Sequence, residues 1–337
     1  MKGFVEKWRN VPHFINGITH EIWEDRKIGS LRQLYAPGLI VRSPASVVVD
    51  NSGVIAATLA TLAEFPDRLL LGEDVIWCDD PQGATETSEA FFSSHRLICT
   101  ATHSHPGAYG APTGAKLRYR ILADCAIRDG AIYDEWLVRD QAAIVRQMGY
   151  EPKDWTRAQI EREGGAGACV QPMACANDVP GPYTRRGNTH KWGEIYADTL
   201  KRIMAAEMDV IPQTYDRAVN LSYPGGESGF GWNIADQFWM GLRASFPAAE
   251  FTLDHVIGRE DPLLSPRAAV RWSLNGSHSG WGRFGPPTGA HVYIMGICHA
   301  EFGPYGHEGG AAIRREFALI DETAIWKQIL LATGDHA

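Results

Sequence analysis

The chain lacks the marks of several protein classes. Its 337 residues include only six cysteines, and no two form a CxxC pair. That argues against a disulfide framework and predicts reduced thiols in a cytoplasmic protein. No apolar run approaches the ~20 residues that cross a bilayer. The opening MKGFVEKWRN has no basic segment followed by an apolar one, so no signal peptide is expected. There is no block of like charge, and the net charge is −8. Neither nucleic acid nor an anionic membrane is an expected partner. Phosphate loop, nucleophile elbow and dinucleotide fingerprint are all missing.

What the chain does have is a repeat of itself. THSHPGAYGAPTGAK at Thr102–Lys116 returns as SHSGWGRFGPPTGAH at Ser277–His291. Around it Phe65-Pro66 matches Phe246-Pro247, Val75-Ile76 matches Val256-Ile257, and Arg96 matches Arg271. EWLVRDQAAIVRQ (135–147) matches EFALIDETAIWKQ (316–328) in the same order. One deletion and one compensating insertion, in GPYGHEGG (303–310), align the copies throughout. At this period, with two copies, the units are whole domains and not solenoid repeats. The expected division is 1–150, a Gly/Pro-rich linker 151–190, and 191–337. The linker is long enough to be a lid or an interface arm.

Within the first unit, Ile18, Ile22 and Trp23 recur at helical spacing and predict a helix over roughly 14–34. LIVRSP reads as a short strand. A second helix follows Gly53 and stops at Phe65-Pro66. The stretches RLLLGEDVIW, SEAFFSSHRLICTATH, KLRYRILADCAI and AIYDEWLVRD read as strands. Asp129-Gly130 signals a two-residue hairpin, Asp140 a helix N-cap, and Gly149 a left-handed C-cap. Unit two repeats the plan with Asp321 as cap. Helices followed by a strand meander give an α+β class.

Three stretches carry a resemblance: HRLICTATHSHPGAYGAPTG, RWSLNGSHSGWGRFGPPTG and DGAIYDEWLVRDQAAIVRQMG. They resemble the SnoaL-like polyketide cyclases of the nuclear transport factor 2-like superfamily, over nearly all of 14–150 and 192–334. The resemblance implies two tandem cone-shaped α+β barrels, each with a deep apolar pocket, packed as a pseudo-dimer. It also implies cofactor-independent ring closure by aldol chemistry, with an aspartate as acid/base and a histidine nearby. This sequence departs there. The aspartate position falls at Leu137 and Ala318, and the histidine position at Ala123 and Cys298.

The candidate catalytic residues are therefore neighbours of those positions. Glu135 and Glu316 share a strand face with the lost aspartate, because side chains alternate with period two. Asp124 and His299 follow the lost histidine by one residue, and a one-residue bulge would turn them into the pocket. The alternative is that strict alternation aims them at the outer layer as structural groups. Candidate substrate-binding residues are Arg96, Arg271, His103, His278, Glu301 and His307. Arg96 and Arg271 could hold a carboxylate or form structural salt bridges. His103 and His278 could act chemically, though bonding to their own loops is the plainer reading. The His299, Glu301 and His307 group favours the second unit if one unit works alone. His103-Ser-His105 could hold a metal, but the family needs none and none is assigned.

The expected function is a cofactor-independent acid/base enzyme, of isomerase, cyclase or lyase type, acting on a small organic molecule. Alternatives are an epoxide-type hydrolase using Asp124, Glu135 and Arg96, or a non-catalytic binding or scaffold protein. A homodimer is left open by the sequence.

Overall fold

A computed structural model describes residues 1–335 apart from 184, 305 and 307–309. The first unit contains α1 (Val11–Trp23), α2 (Leu31–Leu34), β1 (Ile40–Ser43), β2 (Ser46–Val49) and α3 (Asn51–Glu64). The long strands β3 (Leu69–Asp79), β4 (Ala90–Thr102), β5 (Lys116–Arg128) and β6 (Ala131–Arg139) follow, then α4 (Gln141–Gln147). Next comes α5 (Pro152–Arg162). The second unit has α6 (Lys191–Met204), α7 (Val210–Thr214), β7 (Tyr215–Tyr223), β8 (Glu227–Phe230) and α8 (Trp232–Ser245). It continues with β9 (Glu250–Arg259), β10 (Arg267–Ser277), β11 (His291–Gly303), β12 (Ala312–Leu319) and α9 (Glu322–Thr333). The sheets have matching orders, β2-β1-β6-β5-β4-β3 and β8-β7-β12-β11-β10-β9. Each is mixed, with β1 parallel to β6 and β7 parallel to β12. These are tandem α+β units of one plan.

Local chemistry accounts for most boundaries. Asn10 caps α1 by accepting from the His13 amide at 2.9 Å. The helix expected to reach residue 34 ends at Trp23: Arg26 takes a φ of +59°, and a single 3-10 turn, Ile28–Ser30, leads into α2. Asp129 and Gly130 both have positive φ, as a twisted two-residue hairpin turn requires. Asp140 and Asp321 cap α4 and α9. β2 was hidden in the sequence because its VVV run has no alternation to read.

The linker is also more structured than expected. Residues 152–162 form α5, and its Ile160 is buried with Leu330 of α9. Beyond it the chain runs along the seam between the units. Met173 donates its amide to Pro44 O at 2.9 Å. Tyr183 packs between Phe92, Trp136 and His255, and Gly187 bridges Val256 of β9. The segment is an interface arm, locked by Arg185–Asp80 and by Arg42, which binds both Asp134 and Asp178.

The sheets pack back to back. Ile76, Phe92, Leu122, Trp136 and Val138 from one meet Ile257, Ala269, Met295, Ile297 and Leu319 from the other. The contact is nearly symmetric, as in an isologous dimer. Arg96 lies over Phe317 at 3.7 Å, and its repeat mate Arg271 lies over Trp136 at 3.9 Å. Arg271 pairs with Asp124 at 3.2 Å, and Arg96 with Glu301 at 3.0 Å. Breaking a buried pair from one side strands a charge in a dry place. Arg271→Met is expected to destabilise by about 3 kcal/mol. Urea unfolding should show the Asp124→Asn/Arg271→Met double variant losing clearly less than the two single variants added together.

Candidate functional site

The repeated His-to-Pro-Thr-Gly stretch is a folding element. His103 Nδ1 lies 3.1 Å from Thr113 Oγ1, and His278 Nδ1 lies 3.0 Å from Thr288 Oγ1. Each histidine also brackets its loop through the backbone: the His103 amide bonds Ala115 O, and the Gly114 amide bonds His103 O. The same pair recurs at His278, Ala290 and Gly289. The rings rest on Phe65 and Phe246. His103 and His278 thus staple the Pro-Thr-Gly turn in both units. His105 is exposed while His103 is buried, so the two imidazoles do not share one environment.

Asp124 and His299 lie between the units and not in a pocket. β4 and β5 pair in unbroken register through Asp124, and the only shift in β5–β6 falls at Ala126/Ile127. The shift in β11–β12 falls at Glu301/Phe302. The bulges needed to turn these side chains inward are therefore elsewhere. Ser94 Oγ joins the two, 2.5 Å from Asp124 Oδ1 and 2.7 Å from His299 Nε2. Burial raises the Asp124 pKa against the opposing charge of Arg271, and holds His299 well below its usual range, so the imidazole is neutral. Arg96, Arg271 and Glu301 belong to the same seam. Asp124, Arg96 and Glu135 are not brought round one water, because alternation sends the first two to the seam and Glu135 to the other face. His307 lies outside the described residues.

That other face, under α1 and α3, holds a cavity of about 290 Å³ in the first unit. Its walls are mostly apolar, from residues such as Ile18, Trp23, Leu70, Leu97, Ile121 and Leu137. Glu135 is among them, 7% exposed, with Oε2 free of any hydrogen bond. Burial pushes its pKa up to about 7, partly offset by the neighbouring Tyr35 hydroxyl. His95 is two strands away, through the register His95–Ala123–Leu137. Burial, helped by the charge of Arg96, pulls its pKa down to about 3, so the imidazole is neutral. Cys125 also lines the wall, and burial keeps its thiol protonated and unreactive.

In the second unit the equivalent glutamate is sealed. Glu316, 0% exposed, accepts from Tyr196, Tyr215 and Tyr223 hydroxyls at 2.7, 2.7 and 2.6 Å, and from the Trp239 indole at 3.4 Å. The duplication explains the difference. Where the first unit has Ala57, Thr58 and Leu97 against its cavity, the second has Phe238, Trp239 and Trp272, all buried. Gly296 replaces Ile121, and a Cβ there would meet the Trp272 ring at 2.3 Å. The aromatic side chains fill the space. The open cavity is therefore in the first unit, opposite to the lean of the sequence reading.

Sequence reasoning missed His95, Tyr35, Arg68 and Arg139. His95 was overlooked because Arg96 beside it matched in the repeat. Tyr35 does have a mate, Tyr215, since both bridge equivalent isoleucines, Ile132 and Ile313. A one-residue shift between the copies concealed it. Arg139 was legible by period two from Glu135. Arg68 carried no signal.

No protein-family model matches the chain, and no curated protein matches it. Solved structures do. The chain is similar to IdmH from Streptomyces antibioticus at 23% identity and TM-score 0.35, covering 41% of this chain and 98% of that one. It is similar to a SnoaL-like polyketide cyclase from Agrobacterium tumefaciens at 20% identity and TM-score 0.32, covering 42% and 99%. TsrD from Streptomyces laurentii gives 15%, 0.34, 41% and 93%. Each match spans about one unit of this chain. No described helix is long and apolar enough to cross a membrane.

The Glu135 pKa has a measurable consequence. Raised from its ordinary 4.5 to about 7, the carboxyl is neutral below the first value and a buried charge above the second. The wild type thus loses stability as pH rises through this window, and Glu135→Gln does not. The variant is expected to gain on the wild type by about 3 kcal/mol above pH 7 and to show little of that gain at pH 4. Urea midpoints measured across that range test it.

Proposed function

We propose that the first unit is a cofactor-independent acid/base enzyme acting on a small carbonyl compound, with Glu135 as the proton-transfer group. The observation that carries this is a carboxylate with one free oxygen, in an apolar cavity, at a pKa of about 7. Such a group is nearly half charged at neutral pH and suits both directions of proton transfer. Glu135 removes a proton from a carbon beside a carbonyl. The electron pair moves to the carbonyl oxygen, where the neutral imidazole of His95 donates a hydrogen bond to the growing negative charge. Tyr35 positions the carboxylate from the side. Returning the proton to another carbon completes an isomerisation. Attack of the enolate on a second carbonyl closes a ring, and loss of a β-hydroxyl with that proton gives a dehydration. The second unit, with its filled interior, buttresses the first.

Proton abstraction can be tested without the true substrate. Small cyclic ketones and keto acids are incubated in D2O, and loss of the α-proton signal is followed by NMR. The wild type is expected to accelerate exchange for at least one compound, with a rate rising through pH 7 as the base ionises. Glu135→Gln should lose at least a hundredfold. Equal rates in wild type and variant would sink the reading. Thr58→Trp, which copies the second unit's filling residue, should also abolish exchange.

A further inference from the structure

Two guanidinium groups in the same cavity have no anionic partner. Arg68, 1% exposed, gives its Nε to Cys99 Sγ at 3.2 Å and lies over the Trp23 ring at 4.4 Å, but its Nη1 is buried and bonded to nothing. Arg139 lies beside Tyr109 and Tyr119, and its Nε is likewise buried without a partner. Among the described residues neither arginine makes an ion pair. Besides Glu135, the only carboxylate in the wall is Asp321, already occupied by Gln141, Thr323 and Ala324. Burying two cations with no anion to pair is costly, so their presence calls for a reason.

The second unit offers a comparison. Arg68 corresponds to Ala249 and Arg139 to Ile320, and both of those are buried apolar residues. The fold therefore does not require cations here. They occur in the unit that kept an open cavity. Within that cavity they sit apart from Glu135. Arg139 and Glu135 are four residues apart on the same face of β6, a separation of about 13 Å between Cα atoms at ~3.3 Å per residue. The slot has a cationic end and a proton-transfer end, with Leu137, Leu97 and Ile121 between.

We propose that Arg68 and Arg139 form a receptor for a carboxylate, so that the ligand is a small apolar molecule carrying an acid group remote from its reacting carbon. This deepens the functional reading above and rests on it for the choice of cavity. A planar, singly charged carboxylate fits paired guanidinium forks. A phosphate would draw on backbone amides as well, and those at the starts of α4 and α9, beside the wall residues Gln141 and Asp321, are taken by Asp140 and Asp321. The cavity volume, at the lower end of the range for ligand sites, suits a compact molecule.

The test is calorimetric titration at pH 6, where Glu135 is mostly neutral and a simple carboxylic acid is ionised. The probes are 3-phenylpropionate, 4-phenylbutyrate and octanoate, each compared with its own primary amide. At least one acid is expected to bind the wild type tenfold or more tightly than its amide. Glu135→Gln should keep that preference, whereas Arg139→Gln and Arg68→Gln should each reduce it below threefold. The wild-type comparison stands even if an arginine variant does not fold. Acids that bind no better than their amides, or a preference that survives both arginine substitutions, overturn the proposal. If acid preference holds while Glu135→Gln leaves deuterium exchange unchanged, the proton-transfer reading fails and the carboxylate receptor remains.

Discussion

Both faces of each sheet are buried, and this constraint organises the molecule. One face packs on the helices of its own unit and the other on the partner sheet. Because strand side chains alternate, adjacent residues have opposite fates. His95 enters the cavity and Arg96 the seam. Glu135 faces the cavity, while Asp134 and Trp136 face the seam or the interface arm. The buried ionisable residues His95, Arg96, Asp124, Asp134 and Glu135 on these strands thus divide between the cavity and the join between the units. In the seam, Ser94 joins Asp124 to His299, and Asp124 also accepts from Arg271, in a dry interface. Such a network favours one register of the two sheets over others.

Duplication followed by divergence has given the copies different interiors. The framework is shared, down to the histidine staples at His103 and His278 and the aspartate caps at Asp140 and Asp321. The glutamate is shared as well. In the second unit three tyrosines and a tryptophan surround Glu316 and leave no lone pair facing open space. In the first, small residues on α3 leave Glu135 with a free oxygen. The same carboxylate is in one case a hub for structural hydrogen bonds and in the other a candidate for proton exchange. A handful of side chains, Ala57, Thr58 and Leu97 against Phe238, Trp239 and Trp272, makes that difference.

The repeat, the strand meander, the hairpin at Asp129-Gly130 and both caps were legible because they depend on neighbours in sequence. Glu135 was legible through alternation. The seam was not. Arg96 and Arg271 looked like substrate anchors because they matched between copies, and a symmetric interface produces that same match. Asp124 and His299 were drawn toward the pocket by a hypothetical bulge, whereas the register shifts fall two or three residues further on.

Local sequence therefore determined the class of fold, its duplication, its turns and its caps, since those follow from backbone preferences and side-chain period. Tertiary packing decided which unit is hollow, which ionisable groups meet, and which cations lack a partner. Those properties depend on volumes and charges contributed by α1, α3, β3–β6 and the opposite unit, and no single stretch of the chain contains them.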